Sequence, residues 1–267
     1  MSSTTPVPAA DGTRIMLRHW EPAGSIRASV FIIHGLGEHS GRYEHVGRHL
    51  AGLGFLVQAP DLRGFGASGG PRARVDRVDT YFEDLAPLVA AARRPALPLA
   101  LWGHSMGGLI ALCYAQARGG VDLMVLTAPS LDADISTAKR MAARSLRRLL
   151  PGLAMPNGIR GEQLAADPAV GEAYFADPLV VTRTTAALGG ALLEAMSAAR
   201  CGGVPVPTLV LHGGDDTLVP PRASEVLATA PMVKRIVLPG YRHEIHNEKD
   251  GLEALQPAID WLNAGGA

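Results

Sequence analysis

The most constraining feature of this sequence is an apolar run that ends in a glycine-rich turn and continues into an apolar helix. Leu99-Ala-Leu-Trp102 predicts a buried parallel strand, and the segment from Gly108 to Ala117 predicts a tightly packed helix. Between them lies Gly103-His-Ser-Met-Gly107, whose glycines remove side chains from a sharp turn. This context is typical of a nucleophile elbow, in which Ser105 takes a strained backbone position that exposes its hydroxyl.

A second match to the glycine–serine pattern occurs at Gly66-Ala-Ser-Gly-Gly70. It lies in a glycine-rich loop, has no strand directly before it, and runs into Pro71 rather than into an apolar helix. Because an elbow needs a strand before the turn and a helix after it, the context favours Ser105 over Ser68 as a nucleophile.

Composition limits the class of protein and of partner. The 267 residues are 47% hydrophobic, which suits one large α/β domain, or one domain with an insertion. Lys plus Arg and Asp plus Glu balance at 25 each, so nothing predicts binding to nucleic acid. Cys113 and Cys201 are too few for a disulfide framework, and residues 1–6 lack the features of a signal peptide. We therefore expect a cytoplasmic protein.

Strands and helices alternate along most of the chain. Strands are predicted at Arg14–Trp20, Ser29–His34, Gly54–Pro60, Leu99–Trp102, Leu123–Thr127, Pro207–His212 and Lys234–Leu238. This alternation predicts an α/β fold with a mainly parallel, doubly wound sheet, preceded by a polar lead-in over residues 1–12. Residues 130–203 predict helices and loops but no strand. We expect them to form a helical cap inserted into a core of residues 1–129 and 204–267.

A nucleophilic serine needs a base and an acid, supplied by loops after later strands. Asp215 and Asp216 follow the strand that ends at His212, and His243 and His246 follow the last strand. In each pair one residue is expected to face the site while its neighbour serves a turn or a surface, and the spacing does not choose between them. The chain order serine, aspartate, histidine is that of the α/β-hydrolases.

Two loops beside the elbow are expected to complete the site. The loop His34-Gly-Leu-Gly37 follows an early strand, at the place where such folds carry one oxyanion donor. We expect the backbone N–H groups of Leu36 and Met106 to form an oxyanion hole. His34 and His104 are expected to stabilise loops rather than to act as the base.

Four motifs resemble those of the monoacylglycerol lipase and lysophospholipase branch of the α/β-hydrolases. They are His34-Gly-Leu-Gly-Glu-His-Ser-Gly-Arg-Tyr43, Asp61-Leu-Arg-Gly-Phe-Gly-Ala-Ser68, Gly103-His-Ser-Met-Gly-Gly108 and Ala173-Tyr-Phe-Ala-Asp-Pro-Leu179. The resemblance implies an α/β-hydrolase fold in which Ser105 is the nucleophile, Asp216 the acid and His243 the base. It assigns the oxyanion donors to Leu36 and Met106.

The resemblance also implies which residues bind the substrate. Glu38, Arg42 and His246 match positions that line the pocket for the glycerol end, and Tyr174 matches a tyrosine of the cap at the same end. The cap between residues 142 and 168 departs from the family pattern, which leaves the preferred acyl length open. No metal and no organic cofactor is implied.

The activity implied is hydrolysis of carboxylic esters, with a fatty acid released from a monoacylglycerol or similar single-chain lipid ester through an acyl-enzyme. One alternative is a broad short-chain carboxylesterase or thioesterase. Another is a ligand sensor that keeps the fold and has little turnover. The expected partner is a small lipid ester, and the oligomeric state is not predicted.

The predicted cap contains a basic amphipathic stretch. Wound as a helix, residues 139–150 place four arginines on one face and three leucines on another. The arginines are Arg140, Arg144, Arg147 and Arg148, and the leucines are Leu146, Leu149 and Leu150. The stretch is either a solvated face over a packed cap or a helix that makes transient contact with a membrane surface.

Overall fold

The computed structural model describes residues 2–133 and 136–266, and for Thr137 and Lys139 the backbone only. Its strands are β1 Ser3–Pro8, β2 Arg14–Trp20, β3 Ala28–Ile33, β4 Phe55–Pro60, β5 Leu99–His104, β6 Leu123–Thr127, β7 Ala154–Pro156, β8 Arg183–Thr185, β9 Thr208–Gly213 and β10 Val233–Leu238. Its α-helices are α1 Glu44–Gly52, α2 Asp79–Ala92, α3 Met106–Arg118, α4 Thr137–Leu149, α5 Gly161–Leu164, α6 Pro168–Ala176, α7 Ala186–Cys201, α8 Gly251–Ala254 and α9 Gln256–Asn263.

Eight strands form one sheet in the order β1-β2-β4-β3-β5-β6-β9-β10. The six strands from β4 to β10 in that order are parallel, and β1 and β2 are antiparallel to their neighbours. Every residue of β3, β4, β5, β6 and β9 is buried, because helices cover both faces. The core on one face includes α2, α3 and α7, and the core on the other includes α1 and α9. The prediction of a mainly parallel, doubly wound α/β sheet is confirmed.

The parallel strands determine where functional loops can meet. β3, β5, β6, β9 and β10 all end at the same edge of the sheet. The loops that follow them therefore converge there, as is usual for ligand sites of open α/β sheets. These loops carry nearly all the site residues that the sequence predicts.

The prediction for the N-terminus is wrong. Ser3–Pro8 is not a lead-in but forms β1, which pairs antiparallel with β2 and becomes the edge of the sheet. Pro6 and Pro8 hide this strand from pattern analysis, because proline has no N–H to contribute to a ladder. An edge strand tolerates proline where the missing N–H would face solvent.

Residues 130–203, the cap segment, contain α4 to α7 and also two short strands that the sequence does not predict. β7 and β8 have three residues each and pair antiparallel, apart from the main sheet. Strands of this length are too short to show alternation. Helix α7 packs on α3 and α4 packs on α7, so the segment lies beside the helix that follows the elbow. Asp134 and Ile135 of this segment lie outside the described residues.

The C-terminal part contains short helical elements. A 3₁₀ helix covers Pro221–Leu227. Helices α8 and α9 are separated at Leu255, and Pro257 occupies the first turn of α9, where a proline is tolerated. In residues 2–133 and 136–266, no helix combines the length and the apolar character needed to cross a bilayer.

Candidate functional site

Ser105 occupies the turn between β5 and α3 with φ 53° and ψ −117°. Positive φ is uncommon for a residue with a side chain, and such strain concentrates at functional sites. Backbone contacts hold the turn, since the Ser105 N–H donates to the carbonyl of Thr127 at 2.9 Å. The Ser105 hydroxyl lies 3.3 Å from the hydroxyl of Ser130, within hydrogen-bonding distance.

The glycines around Ser105 allow backbone segments to approach more closely than any side chain would permit. A Cβ at Gly107 would lie 2.0 Å from the carbonyl oxygen of Ile33, and one at Gly103 would lie 2.4 Å from that of Gly107. Real Cβ atoms do not come so close to backbone oxygens. Glycine at both positions is therefore required for α3 to pack against β3 and β5.

Asp216 and His243 are brought together from loops after β9 and β10. The Nδ1–H of His243 donates to Asp216 Oδ2 at 2.7 Å, and both side chains are buried. The other carboxylate oxygen, Oδ1, accepts the N–H groups of Leu218 and Val219 at 2.9 and 2.8 Å. These bonds orient the imidazole so that its Nε2 is free to accept a proton.

The charges of this pair follow from its surroundings. Burial opposes ionisation of Asp216, but His243, His212 and backbone donors outweigh it and hold the pKa of the carboxyl well below its usual range. Burial likewise opposes the imidazolium, yet the Asp216 carboxylate raises the pKa of His243 above its ordinary value. Ser105 and His243 line the same small pocket.

The competing candidates occupy other places. Asp215 is exposed, and its N–H donates to the carbonyl of Tyr241. Ser68 lies away from this pocket: its hydroxyl donates to the Asp61 carbonyl at 2.6 Å and accepts the N–H of Met16 at 2.8 Å. Ser68 therefore holds the loop after β4 against β2.

Two histidines near the site have the loop contacts that the sequence predicts. His34 Nε2 accepts the N–H of Leu62 at 2.9 Å, and its Nδ1 lies 2.8 Å from the carbonyl of Gly35. His104 Nδ1 lies 3.2 Å from the hydroxyl of Thr127, so this ring joins the ends of β5 and β6. Burial and the neighbouring His243 lower the pKa of His104 to about 3, so the ring is neutral at physiological pH.

A cavity of about 440 Å³ opens on one side of Ser105, and we call it the acyl-side cavity. Its walls are mainly apolar. Leu109, Leu192, Met196, Leu218 and Val219 contribute, together with Leu36, Met106 and Ile159. Both candidate oxyanion donors therefore lie beside Ser105. Met106 is the first residue of α3, where the N–H groups have no partner within the helix.

Ser105 also lines a much smaller pocket of about 20 Å³, and we call it the alcohol-side pocket. Glu38 and Tyr174 are among its lining residues. Arg42 and His246 are not among its lining residues, but Arg42 contacts both Glu38 and Tyr174. The Arg42 guanidinium lies 4.8 Å from the centre of the Tyr174 ring, and its Nε is 3.4 Å from Glu38 Oε1.

Several polar atoms near this pocket lack partners although they are buried. In the part of the chain that the structure describes, Arg42 Nε, Tyr174 Oη and His246 Nε2 make no hydrogen bond. Buried polar atoms are usually paired, so the unpaired hydroxyl of Tyr174, the one of these residues that lines the pocket, indicates a place for a polar ligand. His246 itself stacks on Tyr43 with ring centres 4.9 Å apart.

Two residues of the site were missed by sequence analysis. Glu244 is 1% exposed, lines the alcohol-side pocket, and lies 2.5 Å from Arg42 Nη2 through Oε2. Its position next to His243 was the available signal, but a glutamate after a strand is usually solvated. Ser130 gave less signal, because only folding brings the end of β6 beside Ser105.

Only two of the four arginines that the sequence places on one face of helix α4 are exposed to solvent. Arg144 and Arg148 are exposed, whereas Arg140 pairs with Asp132 at 3.1 Å and Arg147 with Glu194 at 2.6 Å. Leu146 is half-buried, but Leu149 and Leu150 are 78% and 55% exposed. The exposed side of this helix and its C-terminal end is therefore both basic and apolar.

With this geometry in view, the chain can be compared with known proteins. The family model described as serine aminopeptidase, S33, matches residues 24–250. Monoacylglycerol lipase of Mycolicibacterium smegmatis is 34% identical over 267 residues, covering 94% of this chain and 93% of that protein. Monoglyceride lipase of Homo sapiens is 35% identical over 251 residues, covering 90% of this chain and 82% of that protein.

A solved structure extends the likeness to three dimensions. The crystal structure of Paleococcus ferrophilus monoacylglycerol lipase matches with a TM-score of 0.85 at 29% sequence identity. The match covers 94% of this chain and 99% of that one. The likeness therefore includes the cap segment as well as the sheet.

Proposed function

This chain belongs to the monoacylglycerol lipase branch of the α/β-hydrolase superfamily, and from that premise we propose that it hydrolyses monoacylglycerols or similar single-chain lipid esters. The observation that carries this proposal is the position of Ser105. The serine lines both a large, mainly apolar cavity, which suits an acyl chain, and a small pocket that contains the buried carboxyl-bearing residues Glu38 and Glu244, which suits an alcohol with hydroxyl groups.

We propose that Ser105, His243 and Asp216 act as nucleophile, base and acid. The Ser105 hydroxyl attacks the ester carbonyl carbon while His243 Nε2 takes its proton, and Asp216 stabilises the imidazolium that forms. The N–H groups of Leu36 and Met106 stabilise the negative oxygen of the tetrahedral intermediate. When this collapses, the C–O bond to the alcohol breaks and His243 returns its proton to the leaving oxygen.

The second half of the reaction releases the acid. Water attacks the acyl-enzyme ester, giving a proton to His243, and the intermediate collapses to free fatty acid and the Ser105 hydroxyl. All the groups required are side chains and backbone N–H groups of this chain. We therefore propose no metal and no organic cofactor for the cycle.

Substrate orientation follows from the two spaces. We propose that the acyl chain occupies the acyl-side cavity and that a hydroxyl of the glycerol enters the alcohol-side pocket, where Glu38 and Tyr174 contact it. In this proposal Arg42 and His246 do not contact glycerol directly. They act on it indirectly, through Glu38, Tyr174 or water. Residues 130–203 act as a cap that closes the acyl-side cavity.

Active-site titration tests this proposal. A fluorophosphonate should label one serine per chain in the parent and none in Ser105→Ala, while the parent turns over a monoacylglycerol. Stoichiometric labelling without turnover of any ester would instead favour a ligand sensor. Turnover of short alkyl esters alone would favour a broad carboxylesterase or thioesterase.

We also propose that the end of α4 contacts lipid surfaces transiently. Leu149 and Leu150 are exposed beside Arg144 and Arg148, a combination that favours an anionic interface. Cosedimentation with anionic vesicles should fall when both leucines are changed to serine, and it should fall with salt. A cytoplasmic location is proposed because Cys113 and Cys201 are both free thiols.

A further inference from the structure

Two carboxyl groups meet inside the protein on either side of a single arginine. Glu38 comes from the loop after β3 and Glu244 from the loop after β10, and they are 3% and 1% exposed. Arg42 lies between them, with Nε 3.4 Å from Glu38 and Nη2 2.5 Å from Glu244. Both residues line the alcohol-side pocket.

The charges around this cluster do not balance two carboxylates. Arg42 is the one cation in contact with both. Five other titratable groups face the cluster. His243 is paired with the Asp216 carboxylate, so any positive charge on it is balanced there. The other four groups are neutral: Tyr43, His104, Tyr174 and His246. An uncompensated buried charge is strongly unfavourable, so a buried acid keeps its proton instead. One of the two carboxyl groups therefore carries a proton.

The hydrogen bonds indicate which carboxyl group is protonated. Glu38 Oε2 accepts the N–H of Gly35 at 3.0 Å and the hydroxyl of Tyr43 at 2.8 Å, in addition to its ion pair with Arg42. In Glu244 one oxygen, Oε2, accepts both a hydrogen bond from Arg42 and, at 2.7 Å, one from the side-chain amide of Asn247. Its other oxygen is thus available to bear a proton and donate it to Glu38.

Electrostatics agree with this assignment. Burial would raise the pKa of Glu38, but the surrounding donors and Arg42 hold it well below the usual range. Burial and the neighbouring Glu38 raise the pKa of Glu244 to about 8. The charge of the cluster therefore changes at mildly alkaline pH, next to His243.

We infer that Glu244 is a carboxylic acid at neutral pH, that it donates a hydrogen bond to Glu38, and that this shared proton positions Glu38 and Arg42 for recognition of the alcohol. Glu244 is therefore a positioning residue that sets selectivity. Loss of its proton places two carboxylates against each other, and Glu38 shifts from its place in the alcohol-side pocket. The proton assignment stands by itself, whereas the effect on selectivity rests on the proposed function.

Two readouts test this inference from about pH 6 to pH 10. The first is the infrared band of a protonated carboxyl group, which should disappear at alkaline pH in the parent and be absent throughout in Glu244→Gln. The second is the ratio of kcat/KM for a monoacylglycerol to that for the methyl ester of the same acid. In the parent this ratio should fall at least about threefold at alkaline pH. The fall should come from a higher KM for the monoacylglycerol, because the position of Glu38 affects binding of the alcohol.

Matched variants separate positioning from folding. The amide of Glu244→Gln still donates to Glu38 and cannot titrate, so its ratio should match the parent at neutral pH and stay constant with pH. Glu244→Leu should lose the preference at every pH. Glu253→Gln, which changes an exposed carboxyl on α8, should keep both the band and the alkaline fall.

Each outcome decides a separate point. A parent without a protonated carboxyl band at neutral pH, or a Glu244→Gln variant that keeps it, overturns the shared proton. An alkaline fall in the ratio that persists in Glu244→Gln overturns the positioning role. If the parent shows no preference for monoacylglycerol at any pH, the proposed alcohol specificity fails, while the infrared band still decides whether Glu244 holds the proton.

Discussion

The two spaces beside Ser105 differ in the way they can bind a ligand. The acyl-side cavity is about 440 Å³ and mainly apolar, so binding there depends on buried area and tolerates different chain lengths. The alcohol-side pocket is about 20 Å³ and is lined by Glu38, Glu244 and Tyr174, so binding there depends on polar groups at fixed positions.

The two spaces also differ in origin. Much of the acyl-side cavity comes from the cap segment, including Ile159 of its loops and Leu192 and Met196 of α7. The carboxyl groups of the alcohol-side pocket come from loops that follow β3 and β10 of the sheet. Changes in the cap should therefore alter acyl preference, whereas alcohol recognition depends on residues held by the core.

The largest expected effect is the loss of catalysis on both esters when the nucleophile is removed. Ser105→Ala should lower kcat by about 10⁶, as in other triad enzymes, on monoacylglycerol and methyl ester alike. Ser68→Ala, the matched control from the second glycine–serine pattern, should stay within a few fold. Steady-state kinetics on both esters checks this, and a reversed outcome would mean that the elbow is misassigned.

Loss of the catalytic acid Asp216 should also lower kcat equally for both esters. Asp216→Asn should lower kcat by about 10⁴, because an amide favours the wrong tautomer of His243. Asp215→Asn should cost far less, since Asp215 is exposed and its backbone is what contacts the next loop. Comparable losses in the two variants would show that both carboxylates hold the histidine loop.

A third change should separate the two sides. Leu192→Trp fills the acyl-side cavity, so kcat/KM for long-chain monoacylglycerols should fall about 10- to 100-fold, with short-chain esters little affected. Leu193→Trp on the same helix is the control, because Leu193 is partly buried and does not line that cavity. A uniform loss across all chain lengths would contradict the assignment of the cavity to the acyl chain.

The pH dependence should be common to both esters on the acidic side. Only neutral His243 accepts the serine proton, so kcat/KM should rise about tenfold per pH unit below its pKa and then level off. Because Asp216 raises that pKa, the midpoint should lie above the ordinary histidine value of about 6.5. A profile that is flat from about pH 5 to pH 8 would argue against His243 as the base.

Local signals explain which parts of this molecule could be predicted. The elbow was visible because β5, the glycines and α3 are contiguous and each shows its own pattern. β1 was missed because Pro6 and Pro8 interrupt an exposed edge strand. β7 and β8 were missed because three residues carry no periodicity.

The site likewise has residues with a local sequence signal and residues without one. Its acid and its base could each be narrowed to two residues, since the loops after β9 and β10 are recognisable. Which aspartate meets which histidine depends on tertiary hydrogen bonds, and the family resemblance was needed to choose. Glu244 escaped notice because its partner Arg42 is 202 residues away in the chain, so its burial follows from folding alone.

Selectivity for the alcohol tests the central claim most directly. The measurement is kcat/KM of the parent for a monoacylglycerol against the methyl ester of the same acid. Buried polar groups left unpaired by the methyl ester should favour monoacylglycerol by about 10- to 100-fold, and Tyr174→Phe should reduce this preference while methyl-ester turnover is retained. Equal rates on the two esters in the parent would contradict a polar alcohol-side pocket and indicate a general esterase.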